Sequence, residues 1–187
     1  MTDDREYFDY LRGRSRLGLL YRNVWLYPRL CRHLRGRVVD IGCGIGDMLR
    51  YRPGTVGVDI NARNVQWCRD HGMDARVMSR DTLPFEAAEF DGAVLDNVLE
   101  HLVDPRPLLA ETRRVVRPTG VVIAGVPGKR GYASDRDHKR FYDSGDLATV
   151  FREAGFRCDR ILQMPLPVES LSRYLRQYCV YGVFTRD

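Results

Sequence analysis

Residues 38–61 constrain this chain more than any other stretch. Val38-Val39-Asp40-Ile41 reads as an apolar strand carrying one acid, and it runs into Gly42, Gly44 and Gly46 at alternate positions, then a short helix. Residues 55–60 read as a second strand with Asp59 near its carboxyl end. Glycines at that spacing let the backbone turn sharply and approach a ligand with no Cβ in the way. An acid at the end of the second strand can accept both hydrogen bonds of a ribose diol. Together they predict a nucleoside-binding α/β half-sheet.

Which nucleoside turns on position 47. A dinucleotide fingerprint has its third glycine there and sets a pyrophosphate on the helix N-terminus. This chain carries Asp47 instead, and a carboxylate repels phosphate. S-adenosylmethionine (SAM) has no phosphate, and acids such as Asp40 and Asp47 suit its ammonium and sulfonium. A redox enzyme would also usually need a substrate domain, for which 187 residues leave little room. SAM is therefore the expected cofactor, ahead of a dehydrogenase coenzyme and of a glycine-rich turn with no ligand.

Residues 38–46, 56–61, 83–91, 98–104 and 114–127 resemble, in order, the motifs of class I SAM-dependent methyltransferases, especially the small methyltransferase 11/23-like group. The resemblance covers roughly residues 36 to 160. It implies a Rossmann-like, seven-stranded, mostly parallel sheet with helices on both faces and a last antiparallel strand. One domain is expected over residues 1–187, with residues 1–35 as a helical lid and 36–187 as the core. It places Asp40, Gly42, Cys43, Gly44 and Asp47 around the methionine part of SAM, Asp59 on the ribose and Ile60 against the adenine. Asp96 and Asn97 are expected near the methionine part and the acceptor, and S-adenosyl-L-homocysteine is the expected product. Relatives usually carry an aspartate four residues before Leu-Pro-Phe, on the adenine amino group. Here that position is Ser79, so Asp81 or a backbone contact is expected to serve.

Composition narrows the setting. No stretch approaches the apolar length of a membrane span, and the first residues do not resemble a signal peptide. Five cysteines, scattered and without a Cys-x-x-Cys pair, fit reduced thiols in a cytoplasmic protein, and no metal site is expected. The formal charge is +5, and only Lys129 and Lys139 are lysines. Such arginine richness suits an anionic acceptor or a GC-rich genome equally well. Acids are interspersed throughout and no long basic run appears, so a nucleic-acid partner is not expected.

Residues 3–35 read as helices, with Asp3 or Asp4 as a cap and Tyr7, Phe8, Tyr10 and Leu11 on one apolar side. Leu17, Leu20, Tyr21, Val24 and Trp25 form the apolar side of a second helix, and Pro28 restarts it. Tyr7, Tyr10, Tyr21, Trp25 and Tyr27 are candidate lid residues, with Tyr7 and Tyr21 on the acceptor; plain packing on the sheet is the competing reading. Asn61 is expected to cap a helix over 62–71, and Asp104-Pro105 to start one reaching residue 116. Strands are expected at 75–78, 90–95, 121–126 and 156–164, with the last, antiparallel one at 178–185. His101, beyond the fourth strand, is a candidate base or a backbone-satisfied histidine. The polar stretch 127–143 is the most informative outside the cofactor motifs, since loops of that length in compact domains are usually functional or disordered. Within it His138 is the candidate proton acceptor, oriented by Asp135 or Asp137, or else tied to the backbone. Arg136, Arg140 and Tyr142 are candidate acceptor contacts.

The expected reaction is methyl transfer to a hydroxyl or amine of a small polar acceptor, with a sugar, nucleotide-sugar or surface-glycan precursor suggested by residues 131–143. The alternatives are a SAM-binding partner subunit without turnover and an RNA or protein methyltransferase. The sequence does not specify an oligomeric state.

Overall fold

A computed structural model describes residues 4–13 and 15–187, without the side chains of residues 4, 6, 7 and 10. The expected Asp3 cap and the Tyr7 and Tyr10 side chains therefore lie outside the described residues.

The chain begins with α1 (Asp4–Arg12), α2 (Arg16–Tyr21), a single π turn (Arg22–Leu26) and α3 (Tyr27–Cys31). Then come β1 (Val38–Ile41), α4 (Asp47–Tyr51), β2 (Val56–Asp59), α5 (Ala62–Asp70), β3 (Ala75–Val77) and β4 (Phe90–Asp96). A 3₁₀ turn (Leu99–His101) precedes α6 (Arg106–Val115), β5 (Val116–Pro127), α7 (Lys129–Ala133) and α8 (Ser144–Glu153). β6 (Phe156–Met164), a second 3₁₀ turn (Glu169–Arg173) and β7 (Cys179–Arg186) complete it.

The seven strands form one sheet in the order β3-β2-β1-β4-β5-β7-β6. β1 to β5 pair in parallel, and β7 runs antiparallel to both β5 and β6. The Rossmann-like architecture with a last antiparallel strand is the observed one. Parallel strands buried on both faces need apolar residues at consecutive positions, which β4 and β5 supply. Ala93, Leu95, Val122 and Ala124 face one core, with Leu108 and Leu109 of α6 and Leu147 and Phe151 of α8. Val94 and Ile123, one residue out of phase, face a second core with Leu26, Tyr27 and Leu30 of the leading helices. Each such fully buried aliphatic side chain contributes about 1.5–3 kcal/mol, so the two faces together fix the strand register. Asp40 shares its parity with Val38, and Asp96 with Val94, which puts both acids on the face of the leading helices.

Several local expectations hold. Asn61 caps α5 by accepting from Arg63 N, and Asp143, one of the two caps that residues 143 and 144 offered, caps α8 in a reciprocal box with Asp146. Others change. β5 starts at Val116 rather than residue 121, because residues 117–120 bulge out of its pairing with β4 and rejoin it at Gly92↔Val121. Leu17, Leu20 and Val24 do not form a buried helix side: they are 77%, 58% and 64% exposed, and the π turn hands the buried role to Leu26, Tyr27 and Leu30. That turn is closed by Tyr27 N–H donating to Arg22 O, five residues back. The stretch 127–143 is no open loop either, since α7 occupies its first part and Lys139 N donates to Glu100 O at 2.6 Å.

Candidate active site

In open α/β sheets a ligand lies beyond the carboxyl ends of the strands, where the strand order reverses. Here that point is between β1 and β4, and a cavity of about 560 Å³ opens there. Its walls come from the glycine turn after β1, the end of β4, the leading helices, α7 with the residues after it, and β7.

The glycine turn forms the first wall. Gly42, Gly44 and Gly46 all have positive φ, and a Cβ on Gly42 would sit 2.6 Å from Val98 Cγ2. Gly42 N and Cys43 N both donate to Val58 O, tying the turn to β2. Asp59 holds its other side: Oδ2 accepts from Gly44 N and Oδ1 from Asn61 N, each at 2.8 Å. Leu11 of α1 covers the turn, its side chain 3.1 Å from where a Gly44 Cβ would be. Gly42, Cys43, Gly44, Asp40 and Asp47 line the cavity, and Asp47 pairs with Arg50 at 2.6 Å.

The second wall is an acid network. Asp96 Oδ2 accepts from Arg22 Nη1 at 2.9 Å, and Oδ1 from Tyr181 OH at 2.8 Å and Asn97 Nδ2 at 2.9 Å. Tyr27 OH lies 3.2 Å from the same Arg22 nitrogen. Gly125, paired with Tyr181 across the sheet, makes room for that ring: a Cβ there would lie 2.2 Å from Tyr181 Cε1. Burial, then the Asp96 and Asp59 carboxylates, push the Asp40 carboxyl well above its ordinary range. Burial likewise pushes the Tyr21 hydroxyl up to about 12. A buried carboxylate group costs stability unless something offsets it. Arg50 and Arg22 offset Asp47 and Asp96, which leaves Asp40 as the acid that a bound cation would help to ionise.

At the far end of the cavity Glu100, His101, Asp135 and His138 come together. His138 Nδ1 lies 2.8 Å from Tyr132 O. A carbonyl only accepts, so Nδ1 carries a proton, and in the ring with one proton the lone pair is on Nε2. That Nε2 is 3.9 Å from both Glu100 Oε1 and Asp135 Oδ2. The His101 and His138 rings meet edge to face at 4.7 Å. Burial pushes the Glu100 carboxyl up to about 8 and, with His138 adding to the effect, lowers the His101 imidazole.

Of the sequence-derived candidates, Asp40, Gly42, Cys43, Gly44, Asp47, Asp96, Asn97, His101, His138 and Tyr21 line this cavity. Asp59 backs it through Gly44. The remaining ones stand elsewhere. Ile60 is 61% exposed, and Asp81 is exposed beside the Ser79–Thr82 bridge. Arg136 is exposed, and Arg140 lines a separate groove with Asp104 and Glu153. Tyr142 is 1% exposed in the main core, under the Arg140 guanidinium, so the structure gives it a packing position instead of an acceptor contact. Arg22, Glu100 and Tyr181 were not anticipated; only the Glu-His pair at 100–101 gave any signal.

The family model described as "Methyltransferase domain" matches residues 39–124. A SAM-dependent methyltransferase from Thermotoga maritima, described as a possible histamine N-methyltransferase, shares the fold. Its TM-score is 0.78 at 21% identity, over 98% of this chain and 97% of that one. A probable S-adenosylmethionine-dependent methyltransferase of Mycolicibacterium smegmatis is 29% identical over 167 residues, 78% of this chain and 64% of that protein. Together with the fold, these matches support a class I SAM-dependent methyltransferase. The 27-O-demethylrifamycin SV methyltransferase of Amycolatopsis mediterranei is 28% identical to this methyltransferase over 165 residues, 75% of this chain and 58% of that one. The methyltransferase thus spans about three fifths of the length of these two curated relatives. Its cofactor is SAM, and the acid-lined cavity fits a cationic nucleoside. Among the described residues no helix is long and apolar enough to cross a membrane.

Proposed function

We propose that this protein transfers a methyl group from SAM to a hydroxyl or amine of a small polar acceptor. The observation that carries this reading is the cavity beside the glycine turn, where Asp40, Asp47 and Asp96 converge. Phosphate-bearing coenzymes are repelled there, and a cation is attracted.

Bound SAM supplies a methyl group already activated on a sulfonium. The rest falls to this chain: align the nucleophile, exclude water and take one proton. In our reading Asp40, Asp47 and the amides of the glycine turn hold the methionine part, with Asp96 and Asn97 beside them. Asp59 accepts from the ribose, since each carboxylate oxygen can accept more than one hydrogen bond. Ile60 flanks the adenine at the open rim. Leu11 and Tyr21 close the cavity from above, as a lid would. The acceptor enters from the His101 and His138 end, and its exchangeable proton leaves toward that cluster.

The name of the Amycolatopsis relative supports a small-molecule oxygen acceptor. A sugar or nucleotide-sugar precursor is a narrower form of the same proposal. The test is calorimetric titration with SAM, followed by a screen of hydroxyl and amine acceptors read by S-adenosylhomocysteine release. Micromolar SAM binding with turnover on one acceptor class is the expected result. Failure to bind SAM would refute the reading, and binding without product on any acceptor would favour a non-catalytic partner subunit.

A further inference from the structure

We infer that Glu100, His101 and His138 form a site for one divalent first-row transition ion, facing the acceptor end of the cavity. One ligand atom from each of the three lies within 4.8 Å of the others. A divalent ion bound at about 2.1 Å from nitrogen or oxygen ligands holds them about 3–3.5 Å apart, so a contraction of about an ångström closes the set. Two imidazoles and one carboxylate are a recurrent donor set for zinc and related ions with open coordination positions.

The second, independent observation is Glu100. Its side chain is 1% exposed, and neither carboxylate oxygen has a hydrogen-bond partner among the described residues. The contact with His138 at 3.9 Å is too long for a hydrogen bond. Buried carboxylate oxygens are almost always satisfied, so a pair left bare points to a missing partner. A bound cation is such a partner. His138 is also prepared as a ligand: its Nδ1–H is held by Tyr132 O, which fixes the tautomer and aims the Nε2 lone pair at Glu100. Metal-binding histidines are oriented in this way by their second nitrogen. The ring is further braced by stacking on Tyr132 at 5.3 Å. The expectation of no metal site rested on the scattered cysteines, which say nothing about a set of imidazoles and a carboxylate.

The site deepens the methyl-transfer reading, on which its role rests, by selecting oxygen acceptors. An acceptor hydroxyl coordinated at an open position of the ion becomes more acidic. Asp135 Oδ2, 3.9 Å from His138 Nε2 and partly exposed, takes that proton and passes it to water. The acceptor oxygen then uses a lone pair to form the new C–O bond while the C–S bond breaks, its electron pair remaining on sulfur. The products are a methyl ether, S-adenosylhomocysteine and one proton.

The full chain, stripped with a chelator, is titrated with cobalt(II) and then displaced with zinc(II), following visible absorption. One equivalent is expected, with d–d bands and no thiolate charge-transfer band. Glu100→Gln and, separately, His138→Gln should each weaken binding at least tenfold. Both variants should retain SAM affinity within about threefold, which shows that they fold. Absence of a stoichiometric site, a thiolate signature, or affinity unmoved in both folded variants overturns the inference. Loss of SAM binding in the wild-type chain refutes the methyl-transfer reading instead, and leaves the cobalt result standing by itself.

Discussion

The two ends of the cavity are built in different ways. The turn after β1 is held by backbone: Gly42 N and Cys43 N on Val58 O, Gly44 N on Asp59. Its parts lie within about twenty residues of each other in the chain. The other walls, the acid network beside the turn and the cluster at the far end, are held by side chains from distant segments. Arg22 reaches Asp96 across 74 residues and Tyr181 reaches it across 85, while Glu100 and His138 are brought together by the chain after α7 docking on a 3₁₀ turn. A backbone-built wall tolerates few substitutions at its glycines and accepts one kind of ligand. A side-chain wall can be altered residue by residue, which suits the end that selects the acceptor.

The sharpest test of that contrast is Asp59→Ala. Hydrogen bonds to a charged group are worth about 1.5–3 kcal/mol each, and this change removes two, one from Gly44 N in the turn and one from Asn61 N at the start of α5. SAM affinity should fall about 100-fold or more by calorimetry, with the cobalt titration at the other end unmoved. If both drop together, the two ends are one cooperative unit and the contrast fails.

Next in size is Asp96→Asn, which leaves the Arg22 guanidinium, 22% exposed, without its carboxylate. Breaking a half-buried ion pair of this kind costs about 2 kcal/mol, less than the full cost of a wholly buried one. At about 2–4 °C per kcal/mol for a chain of this size, Tm should drop by about 4–8 °C in scanning calorimetry. An unchanged Tm would mean the leading helices dock without that pair.

A third effect concerns pH. Asp40 titrates above its ordinary value near 3.8 in the folded chain. Its contribution to stability is therefore present at acid pH and lost as the pH rises through the folded-state value. A cationic ligand favours the ionised form, so binding releases a proton. SAM affinity should rise with pH by up to about tenfold per unit until Asp40 is ionised in the free protein, then level off. In Asp40→Asn that slope should vanish; a slope that persists assigns the titration to another group.

The smallest change expected is in Tyr181→Phe, which deletes the hydroxyl that donates to Asp96. It should lower Tm by about 2–4 °C, for about 1 kcal/mol, and move SAM affinity only a few-fold. A larger loss of affinity would show that the Tyr181 hydroxyl is needed to hold Asp96 in place for the cofactor.

The same division explains what was readable beforehand. The glycine turn, Asp59, the Asn61 cap and the span of β6 are set by residues close in sequence, and each was expected where it is found. Arg22 is one arginine among many, and nothing near it in sequence distinguishes it from the exposed ones. Glu100 sits beside a noted histidine, yet only the docking of residues 139 and 140 onto its carbonyl shows how deeply it is buried. Tyr142 and Arg140 were chosen for chemistry suited to an acceptor; tertiary packing sent one to the core and the other to a groove outside. The exposed Leu17, Leu20 and Val24 show a helical apolar spacing that the fold does not bury.

The π turn between α2 and α3 accommodates one more residue per turn than an α-helix would. Each residue of helix advances the side-chain direction by about 100°. Removing a single residue from 22–26 would let the segment relax to ordinary winding and swing either Arg22 or Tyr27 out of phase with the acids beneath. The number of residues in that turn, more than their identity, is therefore what keeps guanidinium and phenol aimed together, and a one-residue deletion there should be less tolerated than most substitutions within it.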